Sequence, residues 1–216
     1  MSDRTKRVAD ILFVIQIMGA VIFCGAYFVR SLSDVTGSSL IQFGLVATFL
    51  LFHLALGLGA HRASPSRTSR QTIATYAVWL VLIVAIIVAA GTNPAYIWTE
   101  KETTQLTTAI TLSGLVVLLV VGSRKRFSDP MIKAFFAIAY KSVPQILLAW
   151  KFLAEGASGT PVVSVVVGHL TIIIRLGQIY FLVKEAGWDR NRVWLAISET
   201  ANELSWVVAT IAWVIS

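Results

Sequence analysis

The stretch AYKSVPQILLAW, residues 139–150, places Lys141, Pro144 and Gln145 within one otherwise apolar segment. In a soluble domain such a segment would be one face of a packed helix. The rest of the chain excludes that setting. Of 216 residues, 56% are hydrophobic and only 13% charged, and the mean hydropathy is +0.77, which is membrane-protein composition. A lysine, a helix breaker and an amide in hydrocarbon are each costly, so their coincidence calls for a structural or functional account.

Working outward, seven apolar runs approach the length of about 20 residues that a bilayer requires. They cover residues 11–29, 39–60, 73–90, 106–122, 131–153, 162–183 and 193–215. The first follows SDRTKR and lacks a small-x-small cleavage pattern downstream, so it is expected to be a retained helix rather than a signal peptide. Asp129 with Pro130, and Thr160 with Pro161, read as an N-cap followed by proline at the first helical position. Single Cys24 allows no intrachain disulfide, and it reads as a buried thiol.

Basic residues alternate between loops. Arg4, Lys6 and Arg7, then Arg62, Arg67 and Arg70, then Arg124, Lys125 and Arg126, and finally Lys184, Arg190 and Arg192 mark one side. The other side holds only Arg30, Lys101 and Lys151. The positive-inside rule therefore puts the N-terminus in the cytoplasm and, after seven spans, the C-terminus outside, in a plasma or bacterial inner membrane. The net charge of +7 is accounted for by these flanks beside anionic lipid, and no nucleic-acid partner is expected. Tyr96 and Trp98 on one side, and Trp188 and Trp194 on the other, fit interfacial belts.

Four ionisable residues fall inside the last three spans: Lys141, Arg175, Glu199 and Glu203. At 100° per residue, Glu199, Asn202, Glu203, Trp206, Thr210 and Trp213 occupy an arc of about 100°. Ser164, Gly168, Thr171, Arg175 and Gln178 form a seam on the sixth span, and Lys141 and Gln145 share a face of the fifth. Polar contacts of this kind can simply hold helices together. Concentrated on three successive helices, they point instead to a path for a solute or a proton. Lys141, Gln145, Thr171, Arg175, Asn202, Glu203 and Trp206 are the expected solute contacts. Glu203, Glu199 and His53 are the expected proton sites, with Lys141 paired to Glu203 and Glu199 taken as closest to a helix-terminal charge. His169 is expected to be a hydrogen-bonded packing residue. Pro144 cannot donate to the carbonyl of Tyr140, so it is expected to kink and hinge its helix.

The segment VPQILLAWKFLAEGASGTPVVSVVVGHLTIIIRLGQIY, residues 143–180, resembles a PQ-loop: a Pro-Gln pair, a Gly- and Ser-containing turn, and a helix with a polar-aromatic end. That family includes the SWEET sugar transporters and cystinosin-like lysosomal exporters, with KDEL receptors and bacterial vitamin transporters as distant structural relatives. The comparable stretch of the first half, FCGAYFVRSLSDVTGSSLIQF, has the turn spacing without Pro-Gln. The resemblance implies an all-α integral membrane fold of seven helices arranged three, one and three. Residues 1–104 would be the first bundle, 105–127 the linker helix and 128–216 the second bundle, with Asn202 or Glu203 lining the substrate path.

The function expected is transport of a small polar solute, with proton coupling open to it; a receptor or sensor on the same scaffold is the alternative. A retinal protein is disfavoured because the seventh span has no lysine. An enzyme is not expected for want of a nucleophile-base or metal-ligand constellation, and no cofactor or metal is called for. A homo-oligomer is compatible with all of this. The orientation is testable: a C-terminal reporter active only outside the cytoplasm should be active, and activity of a cytoplasm-only reporter at the same position reverses the topology.

Overall fold

The computed structural model describes residues 3–216, without the side chains of residues 3–6 and 9. Arg4 and Lys6, assigned above to the basic flank, are among those whose side chains fall outside the description. The described chain is all helical: α1 (Asp3–Ser31), α2 (Leu40–Ala63), α3 (Arg67–Thr92), α4 (Glu100–Ser123), α5 (Pro130–Ala137), α6 (Val143–Glu155), α7 (Val162–Ala186) and α8 (Arg190–Ile215). A π-helical turn, Ile138–Ser142, joins α5 to α6 and makes one rod of them.

Helix starts follow the local chemistry. Ser39, Ser66, Thr99, Asp129 and Asp189 each accept a hydrogen bond from a first-turn backbone N–H, satisfying a donor that the helix itself leaves free. Asp129 and Pro130 behave as expected. Thr160 does not cap α7, which begins one residue later behind Pro161. Its hydroxyl is engaged elsewhere, accepting a hydrogen bond from Tyr27 at 3.1 Å.

Six of these segments are long and apolar enough to cross a membrane, counting the α5–α6 rod as one. α8 has the length, at 26 residues, but Glu199, Asn202 and Glu203 interrupt its apolar run. The outer faces are rich in exposed Ile, Val, Leu and Phe, among them Ile11, Val14, Met18, Val81, Val88, Leu118 and Val121. Water would not tolerate so continuous an apolar surface, whereas lipid is its matching solvent. The chain is therefore a membrane protein.

α3 packs between α1 and α2, and α8 packs between the α5–α6 rod and α7. The two groups meet where α1 lies on α7 and α2 on α6, while α4 lies against α2 and the rod. One apolar cluster gathers Tyr27, Phe43, Phe49, Ile83, Ile86 and Phe136; another gathers Leu148, Phe152, Ile172, Trp206 and Ala209. Phe23 touches both, with its ring 5.6 Å from Trp79 and 6.1 Å from Trp206.

The end of the bundle opposite the basic loops contains an ion cluster that the sequence did not suggest. Lys151, counted above among loop charges, is 2% exposed within α6, and Glu102 of α4 is 0% exposed. They form an ion pair, and the same ammonium donates to the Ser38 carbonyl at 2.5 Å. Ser39 donates to Glu102 at 3.3 Å, and Gln105 donates to the Leu147 carbonyl at 3.2 Å. α2, α4 and α6 are thereby tied at one level. Removing one partner strands a buried charge, so Lys151→Met should lower stability by about 3–5 kcal/mol. The double change Lys151→Met with Glu102→Gln should recover part of that loss; denaturation of the purified variants measures both, and additive losses would show that the pair is not coupled.

Candidate functional site

Between the two helix groups lies a cavity of about 660 Å³. Its wall runs along α1 from Val8 to Phe23, a depth of about 22 Å at 1.5 Å per residue. Exposed Thr68, Lys184 and Glu185 stand at one end, that of the basic loops. Phe23, Gln42 and Phe43 stand at the other. The cavity is therefore a well, open on the basic side and closed on the opposite one.

The closure has identifiable parts. The α1–α2 loop and the α6–α7 loop interlock: Gly159 N donates to the Thr36 carbonyl at 3.0 Å, and Arg30 Nε donates to the Ser158 carbonyl at 3.0 Å. Gly37, at φ 76°, lies so close to the second loop that a Cβ there would sit 2.5 Å from the Gly156 carbonyl oxygen. Beneath the loops, Tyr27 donates to Thr160, Trp213 Nε1 donates to the Thr160 carbonyl at 3.2 Å, and Ser164 donates to the Phe23 carbonyl at 2.8 Å. Burial raises the Asp34 carboxyl, but hydrogen bonds from Thr36 and Ser158 and the charge of Arg30 outweigh it and hold the group below its ordinary range.

Midway down, the polar residues anticipated from the last three spans converge. Lys141, Gln145, Thr171, Arg175, Asn202 and Trp206 all line the well, as does Glu199. Lys141 Nζ donates to Glu199 Oε2 at 3.0 Å and lies 5.1 Å from the centre of the Phe49 ring. Arg175 Nε stands 3.9 Å from Glu199 Oε1, while Arg175 Nη1 donates to Gln178 Oε1 at 2.9 Å. Gln145 Nε2 donates to Asn202 Oδ1 at 3.1 Å, and Ser205 donates to Gln145 Oε1. Gln145 thus spends its amide on bridging α6 to α8.

The ion pairing corrects one expectation. Glu203 does not meet Lys141 and does not line the well. It accepts from His169 Nδ1 at 2.7 Å, and His169 Nε2 lies 2.9 Å from the Thr210 hydroxyl. With Nδ1 carrying the proton, Nε2 accepts from Thr210, so His169 cross-links α7 to α8 as a packing residue. Glu199, taken above as the more peripheral acid, is the one both cations share. His53 also stands outside the well, donating from Nδ1 to the Phe49 carbonyl at 3.0 Å among the rings of Phe49, Phe52 and Tyr76.

Pro144 is fully buried at the start of α6, behind the wall. The chain accommodates it through the π-turn, in which Val143 N–H reaches back to the Ile138 carbonyl. The inserted residue widens the turn just ahead of the proline and sits at Lys141 itself, a common position for π-turns at functional sites. Sequence reasoning missed the amides of the first half of the chain, Gln16, Gln42 and Gln71. Gln16, Gln42, Gln71, Thr75 and Tyr76 also line the well. The signal was present in isolated amides within apolar runs, but single polar residues on α1 and α2 do not build a seam. Gln42 Oε1 is buried without a hydrogen-bond partner among the described residues.

Trp206 is fixed by donating from Nε1 to the Val165 carbonyl at 3.2 Å, against Gly168, where a Cβ would come within 2.6 Å of that nitrogen. Gly168 is thus what lets α7 and α8 close on the well.

No family model, no curated protein and no solved structure matches the chain. The geometry itself therefore carries the functional reading. Its ion pairing is open to a direct check. The stability losses of Lys141→Ala and Glu199→Gln should be non-additive, with a coupling of about 1 kcal/mol or more, whereas Lys141→Ala and Glu203→Gln should add. Coupling of Lys141 to Glu203 instead would overturn the pairing.

Proposed function

We propose that the protein is a seven-span membrane transporter of PQ-loop, SWEET-like architecture that moves a small polar solute by alternating access. α8 is the seventh span, its apolarity lowered by the groups it turns toward its neighbours. The N-terminus is cytoplasmic and the well faces the cytoplasm, in a plasma or bacterial inner membrane.

The observation that carries the reading is a deep well between two helix groups, with charged and amide groups halfway down and a seal at one end. A second feature supports it. Each group places its third helix between the other two, and the first helix of each touches the second of the other: α1 on α7, and the α5–α6 rod on α2. Two parallel repeats about an axis along the membrane normal have this pairing, and carriers built so bind solute near the midplane between repeats. α4 is then the linker. Rocking of one group against the other would break the loop seal and close the basic end around the same central groups.

Labelling tests the motion. With Cys24 replaced by serine, Thr75→Cys should react with a membrane-impermeant maleimide from the cytoplasmic face, and in a second population from the outer face. Gly159→Val, which wedges the interlocked loops apart, should raise outer-face labelling several-fold. A cysteine reactive from one face only, in both backgrounds, describes a receptor or a closed vestibule and removes the transport reading.

A further inference from the structure

Within that proposed carrier, we infer that the solute is an organic anion, a carboxylate on an aromatic or apolar body, whose charge is taken by Arg175. The inference rests on the transport reading only for the movement of the solute after binding.

Its first support is the charge count. Halfway down the well stand two cations, Lys141 and Arg175, and one anion, Glu199. At the mouth Lys184 and Glu185 offset each other. Asp10, near the mouth, is engaged by Arg67 and by Gln71 Nε2 at 2.9 Å. Glu203, one turn from Glu199, accepts from the neutral His169 outside the well and keeps its charge, its second oxygen buried without a partner among the described residues, while Glu102 is paired with Lys151 at the sealed end. Among the described residues, the groups that face the well at this depth therefore carry one positive charge in excess of their counter-charge, with Glu203 turned away from the lining.

The second support is how the two cations share Glu199. Lys141 holds one oxygen at hydrogen-bond distance, whereas Arg175 approaches the other only to 3.9 Å through Nε. Among the described residues the guanidinium forms a single hydrogen bond, from Nη1 to Gln178. A guanidinium has five N–H donors in a planar fork that matches a carboxylate two bonds at a time. Arg175, at 30% side-chain exposure on the wall of the well, keeps most of that fork available. Lys141 is pinned by Glu199 and Phe49, so the surplus charge is localised on Arg175.

The third is the wall. Phe13, Phe49, Tyr76, Trp79 and Trp206 line the well, with Phe23 at its closed end, and they offer broad aromatic surface beside its amides. Flat apolar groups stack on such walls. A compact carboxylate with a ring satisfies the charge and the wall together.

The test uses the purified full-length protein in nanodiscs with benzoate, phenylacetate and 3-phenylpropionate, each beside its neutral primary amide, and with phenethylammonium and glucose. At least one carboxylate should bind ten-fold or more tighter than its amide by calorimetry and raise the melting temperature, with phenethylammonium and glucose inactive. Arg175→Gln should abolish that preference, and Arg175→Lys should restore part of it. The ranking on the unsubstituted protein stands even if Arg175→Gln fails to fold. Equal binding of acid and amide, preference for the ammonium or the sugar, or no carboxylate bound overturns the inference. Counterflow in proteoliposomes separates it from the transport reading: a carboxylate that binds but does not move removes transport and leaves the anion site, whereas flux of a neutral solute alone does the reverse.

Discussion

A carboxylate buried among helices has to find positive charge within the protein, and the arrangement around Glu199 follows from that need. Lys141 comes to it from the α5–α6 rod and Arg175 from α7, so the last three helical segments are held together at one level. Gln145 reinforces the junction by spending its amide on Asn202 and Ser205. The charges are drawn to one wall, and the facing wall on α1 and α3 carries aromatic rings with the uncharged groups of Gln16, Gln71 and Thr75. The lipid-facing surfaces carry no share of this chemistry, which is why they can be almost wholly aliphatic.

Much of this was legible in the sequence. Helix positions followed from the length of apolar runs, and starts such as Asp129 with Pro130 from capping chemistry. The convergence of Lys141, Gln145, Arg175 and Asn202 followed from helical periodicity and the cost of charge in lipid. What could not be read was register. Glu199 and Glu203 lie one turn apart, about 6 Å along the axis, and share a face, so an estimate of depth does not choose between them. The π-turn adds a residue to the rod at the level of Lys141 and rotates α6 relative to α5, which no periodicity of 3.6 anticipates.

Two other omissions have a different origin. Lys151 and Glu102 were hidden because charges near helix ends are ordinarily solvated; here loop α1–α2 folds over them and closes them in. Gln16, Gln42 and Gln71 were hidden because a lone amide in an apolar helix looks the same whether it faces a neighbour or a cavity. Only the cavity enclosed between the two helix groups gives them something to line.

The interlocked loops differ in kind from the central ion pairs. Their bonds, from Gly159 to Thr36 and from Arg30 to Ser158, join backbone carbonyls at the water boundary. When such a bond parts, water replaces either partner within a molecular diameter, and little enthalpy is lost. The Glu199 cluster joins charged side chains instead, each more than half buried on the wall of the well. The hold of the interlocked loops therefore comes from shape, Gly37 fitted against Gly156, more than from bond strength.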